Sequence, residues 1–131
     1  MFGFFNRRRL LADTNRLGRW GEIRSLKFLQ SKGMKLLARN FLCKSGEIDL
    51  VMVDTDGTIV FVEVKTRTDE AFAQAETSVT GTKKNRAFLA ARYFLTTHKI
   101  DTRPFRFDVV TVIVGTTGPA HITHFQNAFV P

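Results

Sequence analysis

Nine consecutive residues, Thr58-Ile-Val-Phe-Val-Glu-Val-Lys-Thr66, narrow what this chain can fold into. β-Branched and aromatic side chains dominate the run, which predicts a buried strand. Strand alternation puts Glu63 and Lys65 on one face and Val60, Val62 and Val64 on the other. A carboxylate inside so apolar a run is costly unless it is paired or put to use. The residues just before it, Asp54-Thr55-Asp56-Gly57, are a turn signal, and Glu47 to Val53 reads as a further strand. So short a connection makes the two an antiparallel hairpin.

The rest of the chain supplies elements around that hairpin. Residues 14–32 read as a helix in which Glu22, Ser25, Leu26 and Leu29 share one face, with Gly33 as its C-cap. Glu22 therefore points toward the core or its rim. Lys35 to Phe41 is a weaker strand. Residues 67–81 read as a loop with a short helical turn, after which Thr82 can cap a second helix running to Thr97. Pro104 marks a boundary, Phe105 to Val114 is a mostly apolar strand, Gly115 to Pro119 a turn, and Ile122 to Phe129 a last short strand. The order is helix, three strands, helix, two strands. That order predicts an α/β fold with a mixed sheet rather than a purely parallel one.

At 131 residues the chain has room for one domain. Residues 1–13 read as a basic arm, with Arg7, Arg8 and Arg9 beside Phe2, Phe4 and Phe5, and residues 14–131 as the domain. Twenty Lys and Arg against twelve Asp and Glu leave a net charge of +8. That excess favours a polyanionic partner: nucleic acid first, an anionic membrane surface second. Cys43 is the sole cysteine, so no intrachain disulfide can form, which fits a reducing compartment. No apolar run reaches the length of a membrane helix, and the apolar-before-basic order of the first residues is the reverse of a signal peptide. The expected location is cytoplasmic.

The chemistry centres on Gly46-Glu47-Ile48-Asp49-Leu50 and Val62-Glu63-Val64-Lys65. If the register allows, the carboxylates of Asp49 and Glu63 face each other across strands about 4.8 Å apart. Two carboxylates that close raise each other's pKa, and a divalent cation relieves the repulsion. Mg²⁺ takes one or two carboxylates and leaves positions for water and phosphate. Lys65 beside it could hold or deprotonate a water, or stabilise charge in the transition state of phosphodiester hydrolysis. Taken singly, each residue is also explained by an exposed strand face, where Glu and Lys often pair. Their convergence with the inward-facing Glu22 favours a site. Arg67, at the end of the strand, and Lys83, Lys84 and Arg86, at the start of the second helix, would contact phosphates, since helix N-termini attract them. Arg39 and Lys44 could extend that patch. Arg106 and Asp108 read as structural residues at a strand start. His98, His121 and His124 form no metal-ligand set, Trp20 reads as core, and Cys43 as structural.

The order Glu, Asp, Glu-x-Lys on helix, strand and strand resembles the PD-(D/E)xK nucleases, especially their Holliday junction resolvase-like branch. More closely, the chain resembles the YraN-type family of small bacterial proteins. The matching pieces are Gly18-Arg19-Trp20-Gly21-Glu22, Arg39-Asn40, Gly46-Glu47-Ile48-Asp49-Leu50, Phe61-Val62-Glu63-Val64-Lys65-Thr66-Arg67, Lys83-Lys84, Arg106-Phe107-Asp108-Val109-Val110 and Asn127-Ala128-Phe129. The resemblance implies a single-domain restriction-endonuclease-like fold, a central mixed sheet flanked by helices. It implies that Asp49, Glu63 and the carbonyl of Val64 hold Mg²⁺ or Mn²⁺, that Glu22 acts on the same ion through water, and that Lys65 is the catalytic lysine. Ile48 stands where the superfamily name expects Pro. The expected activity is metal-dependent endonucleolytic hydrolysis of DNA rather than RNA, at branched structures, with a homodimer suited to a symmetric junction. The alternatives are a nucleic-acid-binding module that does not cut, and an interaction protein at an anionic membrane or in a complex that uses its Arg- and Phe-rich start.

Overall fold

The computed structural model describes residues 14–68 and 81–130. The basic arm and the helical turn expected between residues 67 and 81 fall largely outside those residues. Helix α1 spans Thr14–Ser31 and is followed by strands β1 (Lys35–Cys43), β2 (Gly46–Val53) and β3 (Ile59–Arg67). Helix α2 (Gly81–Thr97) precedes β4 (Phe105–Ile113) and β5 (His121–Phe125). The five strands form one sheet in the order β1-β2-β3-β4-β5. The β1–β2, β2–β3 and β4–β5 pairs are antiparallel and β3–β4 is parallel. A parallel pair needs a crossover, and α2 lies in it. This is the α/β architecture anticipated, a central mixed sheet flanked by helices.

Each face of the sheet carries its own core. Leu50 and Met52 of β2, Val60 and Val62 of β3 and Val110 and Val112 of β4 pack with Leu17 and Leu29 of α1. On the opposite face Val51, Ile59, Phe61, Phe107 and Val109 pack with Ala90, Ala91, Phe94 and Leu95 of α2. Both helices thus cover β3, whose apolar run is nearly free of solvent. The alternation read for Val60, Val62 and Val64 holds. Glu63 and Lys65 therefore belong to the α2 face.

Local chemistry sets the ends of these elements. Gly33 terminates α1 at φ 95°, where a side chain would be strained, and the amides of Lys32 and Met34 both donate to the carbonyl of Leu29. Two expectations are corrected. Helix α2 begins at Gly81, so Thr82 lies within its first turn instead of capping it. The last strand ends at Phe125, not Phe129. Beyond it Asn127 adopts φ 51°, Ala128 donates its N–H to the Phe107 carbonyl at 2.8 Å, and Phe129 turns into the α2-side core.

A buried charge network closes the end of the sheet around the Asp54–Gly57 turn. Asp108 is fully buried. Its carboxylate accepts from Arg106 Nε at 3.0 Å, His124 Nε2 at 2.6 Å and the Asn127 amide at 2.9 Å. Burial alone would raise its pKa, but these donors, His124 foremost, outweigh burial and hold it below the ordinary value. Arg106 also donates to Asp54 Oδ2 at 2.9 Å. The Lys32 ammonium lies 3.0 Å from His124 Nδ1. An ammonium only donates, so Nδ1 accepts and the ring proton sits on Nε2, facing Asp108. Arg106 and Asp108 are structural, as anticipated. His124, read as a packing residue, is the third member of their network.

Candidate functional site

At the other end of the sheet, β2 and β3 part. Their pairing runs from Val53 opposite Ile59 to Leu50 opposite Val62 and stops there. The next pair in that register is Asp49 opposite Glu63. In place of a further rung, the Val64 N–H donates to the Asp49 carboxylate at 2.8 Å. The side chain thus satisfies a backbone donor that the parting of the strands would leave unpaired.

The reason for the parting lies in the β1–β2 hairpin. Arg39 faces Leu50 and Phe41 faces Ile48, so Asn40 stands opposite Asp49. Asn40 has φ 50°, a left-handed conformation that asparagine tolerates better than most residues. On the far side of this row the hairpin changes face: Phe41 and Ile48 pack with the α2-side core, whereas Leu50 packs with the α1 side. The tip of the hairpin turns away from β3 and leaves a cleft of about 260 Å³ between them.

Asp49, Glu63, Lys83 and Arg86 line this cleft. Lys65 is buried, 3% exposed, with Nζ 3.7 Å from Glu63 Oε1. Lys83, from the first turn of α2, places Nζ 3.6 Å from the same oxygen. Glu22 approaches from α1, where its carboxylate accepts a hydrogen bond from the Asn40 side chain. A close helix contact makes this approach feasible. A β-carbon on Gly21 would overlap Thr66 Oγ1 and lie 2.8 Å from Thr66 Cβ, so only glycine lets α1 sit this near to β3.

The electrostatics are those of crowded acids. Burial pushes the Asp49 carboxyl up to about 7, against the Val64 hydrogen bond, and Glu22, Glu63 and Glu47 add to the rise. Burial also raises Glu22, opposed by the Asn40 hydrogen bond and by Arg39, with Glu47 adding to it. Among the described residues no three His, Cys, Asp or Glu side chains gather into a ready metal cage. The donor chemistry nonetheless fits a hard cation that needs few protein ligands. Two carboxylates on adjacent strands share one cleft, and the acid more deeply set in it is destabilised in its ionised form.

The structure thus gathers Asp49, Glu63, Lys65, Glu22 and Lys83, with Val64 held against Asp49. It does not gather all the basic residues named from the sequence. Arg67 turns its guanidinium back onto the Thr66 carbonyl at 2.8 Å, and neither it nor Lys84 lines the cleft. Lys83, expected as a phosphate contact, stands against an acid of the cluster. Asn40 and Glu47 belong to the site's electrostatics, yet entered the sequence reading only as members of motifs. An Asn within a strand, flanked by apolar residues at Ala38 and Phe41, is the local signal for a left-handed kink.

The family described as Uncharacterised protein family UPF0102 matches residues 21–112. The UPF0102 protein of Pelotomaculum thermopropionicum is 41% identical over 121 residues, covering 91% of this chain and all of that protein. That of Pseudomonas fluorescens is 40% identical over 121 residues, covering 92% of this chain and 98% of its own length. That of Cupriavidus pinatubonensis is 43% identical over 118 residues, covering 90% and 88%. Among solved structures, that of an EndoMS–dsDNA complex is similar at TM-score 0.36 and 24% identity, over 66% of this chain and 32% of that one.

Proposed function

Because the chain belongs to the Uncharacterised protein family UPF0102, its chemistry has to be read from its own residues, and we propose that it is a metal-dependent nuclease that hydrolyses DNA phosphodiesters. The observation that carries this reading is the parting of β2 and β3, which opens Asp49 and Glu63 onto one cleft with buried Lys65 behind them. A strand pair that only stabilised the sheet would continue its ladder at this point.

In this reading Asp49, Glu63 and the Val64 carbonyl hold Mg²⁺ or Mn²⁺, and Glu22 acts from the α1 side. The ion, when bound, supplies Lewis acidity at a phosphoryl oxygen. Lys65, fixed by burial, keeps a positive charge where the phosphoryl group gains negative charge in the transition state. Lys83 leaves Glu63 for the substrate phosphate as the ion takes over the neutralisation of that acid. Arg86, on the same helix and at the same cleft, adds a second phosphate contact. The net charge of +8 favours approach of any nucleic acid. Shape rather than base sequence would then select the target, since no groove-reading helix is evident.

The test is cleavage of labelled linear, flapped, single-stranded and four-way DNA in Mg²⁺, in Mn²⁺ and in chelator, with wild type beside Glu63→Ala and Lys65→Ala. Cutting that requires the metal and is lost in both variants is the expected result. Binding without cutting, equal in all three proteins, leaves a nucleic-acid-binding module instead.

A further inference from the structure

The cleft holds more than phosphate chemistry needs. One side carries the charged groups already described. The other side is apolar, lined by Phe61, Phe107 and Phe129 with Ala87 and Ile48. The three rings form a row: Phe61 and Phe107 are 5.5 Å apart and inclined by 30°, and Phe107 and Phe129 are 4.9 Å apart and inclined by 25°. A phosphodiester backbone is polar throughout and gives these rings nothing to bind. The one part of a nucleotide that does is the flat face of its base.

We infer that this apolar half of the cleft is a subsite for a single unstacked nucleobase, belonging to the nucleotide beside the phosphate held at Asp49 and Glu63. This rests on the nuclease reading for the placement of that phosphate. Three observations support it together. The aromatic row and the two carboxylates line one continuous cleft. Its volume of about 260 Å³ admits one planar ring system and not a base pair. Lys83 and Arg86 line the same space and can hold the phosphates on either side of the extruded nucleotide. A largely apolar pocket with a few convergent polar groups is the usual form of a site for such a ligand. The consequence is a substrate class. Extruding a base is least costly where it is already unpaired or weakly stacked, so the target is DNA at a flap, gap, mismatch or branch, not an uninterrupted duplex.

The Phe129 wall comes from the segment after β5. The Ala128–Phe107 hydrogen bond pins that segment to β4, so the subsite is built by the sheet and not by a free terminus.

The experiment uses the full chain and oligonucleotides carrying 2-aminopurine at single positions, in linear, flapped and four-way DNA. Binding is measured in Ca²⁺ by anisotropy, and base unstacking by 2-aminopurine emission with acrylamide as quencher. Ala87→Phe fills the subsite, and Phe129→Leu removes one ring while keeping the core filled. The expected result is a rise in emission, shielded from acrylamide, at a nucleotide beside the branch. Both variants should lose the rise and bind branched DNA about 5- to 100-fold more weakly, the range that base–aromatic stacking commands, with linear-duplex binding unchanged. Saturated binding with no rise at any position overturns the inference. So does a rise that both variants retain, or one that acrylamide quenches freely. Metal-dependent cleavage without the rise overturns the subsite alone. A shielded rise without cleavage upholds the subsite and overturns the nuclease chemistry. Failure to bind any DNA overturns both.

Discussion

Asp49 shows how one residue can be both a ligand and a burden. It is the acid that the parted strands cannot hydrate fully, and three other carboxylates add to its load. Its folded-state value of about 7 lies above the ordinary 3.8. The folded protein therefore holds a proton that the unfolded chain has released between those values, and stability falls as pH rises through that window. Asp49→Asn keeps an oxygen to accept from Val64 and removes the charge. In metal-free buffer this variant should be more stable than wild type above pH 7, on the order of 2–4 kcal/mol, with the gain vanishing near pH 4. Thermal melts across that range check it, and lower stability at pH 8 would mean that the acids are not in conflict. At this scale the alternation of Glu63 and Lys65 was legible, because a strand period needs no knowledge of its neighbours. The opposition of Asp49 and Glu63 was legible through the hairpin register. The left-handed Asn40 and the attachment of Lys83 to Glu63 were not. The first depends on the pull of the whole hairpin tip, and the second on where α2 docks.

Among elements, the α1–β3 contact decides where Glu22 stands. Gly21 meets the Thr66 side chain so closely that even a β-carbon has no room, and Thr66 Cβ itself blocks any escape by rotation. Gly18, one turn earlier, has open space around it. The same substitution should therefore act with opposite sign at the two positions. Gly18→Ala should stabilise by about 0.5–1 kcal/mol through helix propensity. Gly21→Ala should destabilise by about 1–3 kcal/mol through overpacking, and weaken any activity that needs Glu22 beside Asp49. Urea denaturation of the pair with wild type measures the contrast, and equal effects would remove the close contact. The helices and inner strands could be placed from sequence because period and caps are local. The short β5 was overextended to Phe129 because its tail is also apolar. What ends the strand is Asp108, sixteen residues before His124, and no pattern in the sequence joins them.

Seen whole, the molecule is one sheet between two unlike cores, aliphatic under α1 and largely aromatic under α2. No described helix is long and apolar enough to cross a membrane. The β2–β3 pair is closed at one end by the Asp54–Gly57 turn, where Arg106 ties Asp54 to Asp108, and open at the other. Mechanically this is a pair of tongs, with its hinge in the turn and its jaws at Asp49 and Glu63. The rung of Leu50 and Val62 is the fulcrum nearest the load, and anything that grips both acids pulls that rung tighter. Amide hydrogen exchange at Leu50 and Val62 should therefore slow when Mg²⁺ is added, while exchange at Val53 and Ile59, beside the hinge, stays as it was. Equal slowing along the whole pair would mean that it moves as a rigid plate and has no jaws to close.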